Sequence, residues 1–148
     1  MATVSASVEI LLVEDNPRDA ELTLRVLRRR YLATSIVHVS DGAEAMEWMF
    51  CTGRHASRLI QEHPKVVLLD LKLPKIDGME VLRAIRADSR TQMMPVVILT
   101  SSGEERDIVE SYESGANSYI TKPVEFETFA AAVAEAGHYW VTLNQKPR

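Results

Sequence analysis

The chain has 148 residues, a single cysteine, and 17 Lys plus Arg against 21 Asp plus Glu, which leaves a formal charge of −4. With 46% hydrophobic and 26% charged residues, it resembles one average globular domain, too short for a two-domain enzyme and unlike disordered, collagenous or membrane chains. The acidic balance gives no electrostatic reason to seek nucleic acid or anionic lipid, lone Cys51 cannot form an internal disulfide, and no apolar run approaches the roughly 18–20 residues that span a bilayer.

The opening MATVSASVEI has neither a basic region nor a long apolar run, so no secretory signal is expected and the chain is placed in the cytoplasm. The first strand is predicted over Glu9 to Val13, a near-continuous apolar run of the kind found where both sheet faces are covered. Asn16-Pro17 starts a helix carrying Ala20, Leu24, Leu27 and Tyr31 at helical spacing. Asp19 and Glu21 suit its first turns, and Arg28-Arg29-Arg30 suits its C-terminal end. A short second strand spans Ser35 to Val39. Asp41-Gly42 then turns into a helix with Ala45, Met46, Met49 and Phe50 on one face.

Residues 52–63 make a long polar connection whose structure the sequence leaves open. Val66 to Leu69 is the most apolar strand and is expected at the centre. Asp77-Gly78 precedes a helix bearing Val81, Leu82 and Ile85. Val96 to Leu99 is the fourth strand, and Ser102-Gly103-Glu104-Glu105 opens a helix with Ile108, Val109 and Tyr112. Gly115 is expected to end that helix in the left-handed conformation. Ser118 to Thr121 is the fifth strand. The last helix, roughly Glu125 to Val141, carries a core stripe of Phe126, Phe129, Ala130, Val133, Gly137 and Trp140. An adjoining stripe of Ala132, Ala136, Tyr139 and Leu143 gives it an unusually broad apolar arc.

Five alternations of strand and helix predict an α/β fold with a parallel sheet covered on both faces. Functional groups in such sheets gather beyond the strands' carboxyl ends. Those ends carry Glu14-Asp15, Asp70, Thr100 and Lys122: three carboxylates, a hydroxyl and an ammonium. Clustered carboxylates repel unless a cation joins them, and an all-oxygen set suits Mg²⁺ together with a phosphate oxygen. No GxGxxG or GxxxxGK motif marks a nucleotide pocket, and His38, His55, His63 and His138 lack metal-ligand spacing.

The acidic pair Glu14-Asp15, the pattern Asp70-x3-Pro74-x3-Gly78, Thr100 followed by Ser101, and Lys122-Pro123 three residues after Tyr119 together resemble the receiver domain of two-component response regulators. The resemblance runs from about Glu9 to Trp140. It implies a flavodoxin-like (βα)5 fold with strand order 2-1-3-4-5, in one receiver domain over 1–148. Its core would span about 8–141, flanked by a short flexible N-terminus and C-terminal tail. It further implies that Asp70 takes a phosphoryl group from a sensor histidine kinase, with Mg²⁺ held by Asp15, Asp70 and the Lys72 carbonyl and supported by Glu14. Lys122 and Thr100 would grip the phosphoryl oxygens. Thr100 and Tyr119 would form the switch, and the Lys122–Pro123 bond would be cis. Lys72 replaces a frequent Asn, and with Ser102 it bears on how long the phosphoryl group lasts.

The start VEDNPRDAEL, the 52–63 connection and the tail HYWVTL are more narrowly similar to single-domain regulators paired with bacterial phytochromes, so a bacteriophytochrome kinase is the expected partner. The broad apolar arc of the last helix suggests a homodimer through helix five and strand five, against core packing alone. Two other functions compete: a receiver-like interaction module that has lost phosphorylation, and a haloacid-dehalogenase-like phosphatase. The latter wants a second Asp where Lys72 stands.

Overall fold

The computed structural model describes residues 8–31 and 35–145. Five strands, β1 (Ile10–Val13), β2 (Ile36–Val39), β3 (Val66–Leu69), β4 (Val96–Thr100) and β5 (Ser118–Thr121), form one sheet in the order β2-β1-β3-β4-β5. Every pairing is parallel, with Leu11 set between Val37 and Val67, and Val97 beside both Leu68 and Ser118. This is the flavodoxin-like arrangement. Among the described residues five α-helices cover the sheet: α1 (Pro17–Tyr31), α2 (Gly42–Phe50), α3 (Gly78–Ala87), α4 (Glu105–Glu113) and α5 (Phe126–Gly137).

The two-residue period of the strands divides the core. Leu11, Val13, Val67, Leu69, Val96 and Ile98 face α2 and α3, where Trp48, Leu82 and Ile85 complete one cluster. Ile10, Leu12, Val66, Leu68, Val97 and Leu99 face the side on which α1 and α5 pack together, with Leu27, Phe129 and Val133. The central strands are apolar throughout because neither face meets water.

Local chemistry sets the helix starts. The Asn16 side chain accepts from the amides of Arg18 and Asp19 at 3.0 and 3.1 Å, with Pro17 at the first helical position. Asp41 and Asp77 cap α2 and α3 through the amides of Glu44 and Glu80. Gly115, at φ 103°, follows α4 in the left-handed region. The connection after α2 holds a short 3-10 turn (Gly53–His55) and is anchored by Arg58. That guanidinium stacks 3.4 Å from the Trp48 ring centre and donates to the Trp48 and Glu62 carbonyls.

Two local expectations change. Phe126, assigned to the core, is 51% exposed, whereas Ala136 from the second stripe is buried. Because α5 lies against α1 as well as the sheet, its buried arc rotates toward Ala134 and Ala136 and leaves Phe126, at the first helical position, outside it. The helix then widens into a π-turn (His138–Leu143), and the Lys65 ammonium donates to the Val141 carbonyl. The Lys122–Pro123 bond is trans, as are all peptide bonds among the described residues; X–Pro bonds favour trans by about 0.5–1 kcal/mol. Residues 1–7 and 146–148, expected to be flexible, and the Tyr31 side chain lie outside the described residues.

Candidate functional site

The chain runs from β1 to β2 on one side and from β2 back across to β3 on the other, which opens a crevice beyond the carboxyl ends of β1 and β3. Glu14 and Asp15 leave β1 there, Asp70 leaves β3, Thr100 ends β4 and Lys122 follows β5. Sheet-like hydrogen bonds carry past the strands and fix these positions: the Asp70 amide donates to Val13 O at 3.1 Å, and the Lys122 amide to Thr100 O at 2.7 Å. Behind Asp70, the Gly78 amide returns to Leu71 O at 2.8 Å. A Cβ on Gly78 would sit 2.1 Å from the Asp70 carbonyl oxygen, so the loop closes only over glycine.

The Lys122 ammonium is the hub. It lies 2.5 Å from Glu14 Oε1, 2.9 Å from Asp70 Oδ2 and 3.0 Å from Asp19 Oδ2. Glu14 Oε2 accepts from the Asn16 amide at 3.1 Å, and Asp70 Oδ1 from the Lys72 amide at 3.2 Å. Burial raises the Glu14 carboxyl to about 7; the Lys122 bond works against that rise and the Asp70 charge adds to it. For Lys122, burial disfavours the charge, but hydrogen bonds to Glu14 and Asp70 outweigh it and raise the ammonium above its ordinary value.

One carboxylate oxygen from each of Glu14, Asp15 and Asp70 lies within 4.8 Å of the other two. Glu14 and Asp70 are buried while Asp15 is exposed, so the cluster opens to solvent on the Asp15 side. Three clustered hard oxygen donors, with an excess of negative charge that one ammonium only partly balances, fit a divalent cation of the Mg²⁺ type. A cavity of about 500 Å³ adjoins it, bordered by Asp15, Lys72, Pro74, Asp77, Met79 and Asp107.

Thr100 is fully buried, and its hydroxyl has no hydrogen-bond partner. Such a group in a protein interior is costly unless a ligand or a rearrangement satisfies it. Half-buried Tyr119 donates its hydroxyl to Ser102 O at 2.8 Å, and Ser102 Oγ donates to Asp107 Oδ2 at 2.5 Å. The Lys72 side chain is exposed at the mouth. Of the strand-end residues singled out in the sequence, Glu14, Asp15, Asp70 and Lys122 thus come together, and Thr100 is tied to Lys122 through the backbone. Asp19 was read there only as a helix-start acid; its place in the first turn of α1, directly after the acidic pair, is the signal that could have marked it.

The response regulator receiver domain model matches residues 10–134. Response regulator Rcp1 of Synechocystis sp. is 35% identical over 93% of this chain and 92% of its own length. Its Mn²⁺-bound structure superposes with a TM-score of 0.88 at 33% identity, covering 95% of this chain and 99% of that one. The phosphorylated cyanobacterial phytochrome response regulator RcpA gives a TM-score of 0.89 at 36% identity, over 97% of this chain and all of that one. The bacteriophytochrome response regulator RtBRR gives 0.75 at 48% identity, over 96% and 85%.

Proposed function

The chain belongs to the response regulator receiver domain family, a family of signalling domains rather than enzymes in the usual sense, and on that premise we propose that it is a single-domain phosphoacceptor. Asp70 takes the phosphoryl group from the phosphohistidine of a sensor histidine kinase of bacteriophytochrome type, in a Mg²⁺-dependent reaction in the cytoplasm. One observation carries the proposal: a buried Asp70 carboxylate 2.9 Å from an ammonium, with oxygens of Glu14 and Asp15 within 4.8 Å, at the switch point of the sheet.

A carboxylate needs no general base, because it is already ionised at neutral pH; catalysis reduces to alignment and charge neutralisation. An Asp70 oxygen attacks phosphorus, the N–P bond of the phosphohistidine breaks, and the imidazole leaves with the electron pair. Asp15, Asp70 and the Lys72 carbonyl would hold Mg²⁺, with Glu14 behind them; the bound ion supplies positive charge and orientation to a phosphoryl oxygen. Lys122 donates to a second oxygen and the Thr100 hydroxyl, at present without a partner, to a third.

Signalling follows from the same contacts. Thr100 moves inward to reach the phosphoryl group, and Tyr119 exchanges its bond to Ser102 O for the vacated space. The changed surface of α4, β5 and α5 is read by protein contacts, including a second copy of the chain through α5 and β5, where Phe126 on α5 and Tyr139 and Leu143 on the π-turn that continues it are about half exposed. The likeness to RcpA and RtBRR supports the phytochrome pairing. Labelled transfer from a panel of autophosphorylated kinases tests it: a bacteriophytochrome kinase should transfer fastest, and equal rates across the panel would remove that partner.

A further inference from the structure

Three carboxylates crowd the Lys122 ammonium: Asp70 and Asp19 accept hydrogen bonds from it, and Glu14 forms an ion pair with it. The Lys122 side chain is 8% exposed, and Glu14, Asp70 and Asp19 lie 2.5, 2.9 and 3.0 Å from its nitrogen. An arriving phosphoryl oxygen therefore finds the Lys122 nitrogen already ringed by three carboxylates, and one of the three must yield.

They differ in what release costs. Glu14 is 1% exposed, so its carboxyl has no water to turn to if Lys122 lets it go. Asp70 is the acceptor itself and cannot leave the site. Asp19, in the first turn of α1, is 28% exposed, and water can solvate it as Lys122 departs.

The geometry points to Asp19 as a positioning residue that restrains Lys122 in the unphosphorylated protein, slows phosphoryl capture, and lets the ammonium go when the phosphoryl group arrives. This inference rests on the assignment of Asp70 as phosphoacceptor. It locates the effect in one direction of the chemistry. Lys122 changes partners while the acyl phosphate forms, so the Asp19 contact is lost on the way to that transition state. Lys122 grips phosphoryl oxygens throughout hydrolysis, in ground and transition states alike, so the barrier to phosphoryl loss is nearly indifferent to Asp19.

The test uses the full chain with acetyl phosphate: an Asp70 oxygen attacks phosphorus, the bond from phosphorus to the acetyl oxygen breaks, and acetate leaves with the electron pair. Mg²⁺ affinity is first measured for each variant by isothermal titration calorimetry without donor, so that all rates are taken at saturation. Asp19→Asn and Asp19→Ser should form phosphoprotein about three- to fivefold faster than the parent, as expected for losing one partly exposed charge-assisted contact. Loss of the phosphoryl group after donor removal should change by less than about twofold, and Asp19→Glu, which keeps the charge, should form phosphoprotein at the parent rate. Unchanged or slower formation in both neutral variants would overturn the restraint, as would an equal acceleration of loss. Failure of the parent chain to be phosphorylated would instead overturn the assignment of Asp70.

Discussion

Glu14 shows how burial and function meet in one side chain. In the unfolded chain its carboxyl has an ordinary value near 4.5, and in the fold it is raised to about 7, chiefly by burial. Between those values the folded protein keeps a proton that the unfolded chain has lost, so without metal the stability should fall as pH rises from about 4.5 to about 7. A divalent cation competes with that proton, so Mg²⁺ should stabilise the protein more at pH 8 than at pH 6. Urea midpoints across this range, with and without Mg²⁺, check both signs, and Glu14→Gln should flatten the metal-free profile. The sequence made Glu14, Asp15, Asp70, Thr100 and Lys122 legible because each ends a strand or directly follows one, where a parallel sheet brings distant segments together. It did not reveal Asp19 as a partner of Lys122, since an acid in the first turn of a helix already has a local reason to be there. Nor could it show that the Thr100 hydroxyl lacks a partner, which depends on the whole surrounding shell.

At the scale of elements, the loop from β3 to α3 sets the attitude of Asp70. Gly78→Ala would press a methyl against the Asp70 carbonyl and Leu71 Cα, both backbone atoms that cannot swing aside. The loop would have to open, with a cost of about 2–4 kcal/mol in chemical denaturation and a marked loss of phosphorylation rate. Arg58 makes the contrasting case. Its stacking on Trp48 and its carbonyl contacts hold the 52–63 connection against α2, and none of these contacts is to a strand-end carboxylate. Arg58→Ala should cost about 1–3 kcal/mol of stability and leave the phosphorylation rate nearly unchanged. The strands and helix starts were readable because apolar runs and Asn, Asp and Pro signals act locally. The burial phase of α5 was not, because α1 packs beside it from a hundred residues away in sequence. Arg58 escaped for a related reason: the ring it covers belongs to the preceding helix.

For the whole molecule the question is how one added charge alters a surface. Moving a two-state equilibrium from about 1:99 to 99:1 takes about 5.5 kcal/mol of preferential interaction, more than one surface contact supplies. New bonds from Lys122 and Thr100 to the phosphoryl group contribute part, and self-association can add to it. On α4 only Ser111 is buried, and Val109 and Tyr112 stay about half exposed, as does Phe126 at the start of α5. Light scattering at tens of micromolar should therefore show a dimer that phosphorylation strengthens and Phe126→Glu weakens. Monomer alone in every state would contradict it. The central claim, however, is chemical and is tested most directly by intact mass spectrometry after incubation with acetyl phosphate. The chain should gain one phosphoryl group when Mg²⁺ is present and none when the metal is chelated, and Asp70→Asn should gain none in either case. Equal incorporation by the parent chain and Asp70→Asn would contradict the account.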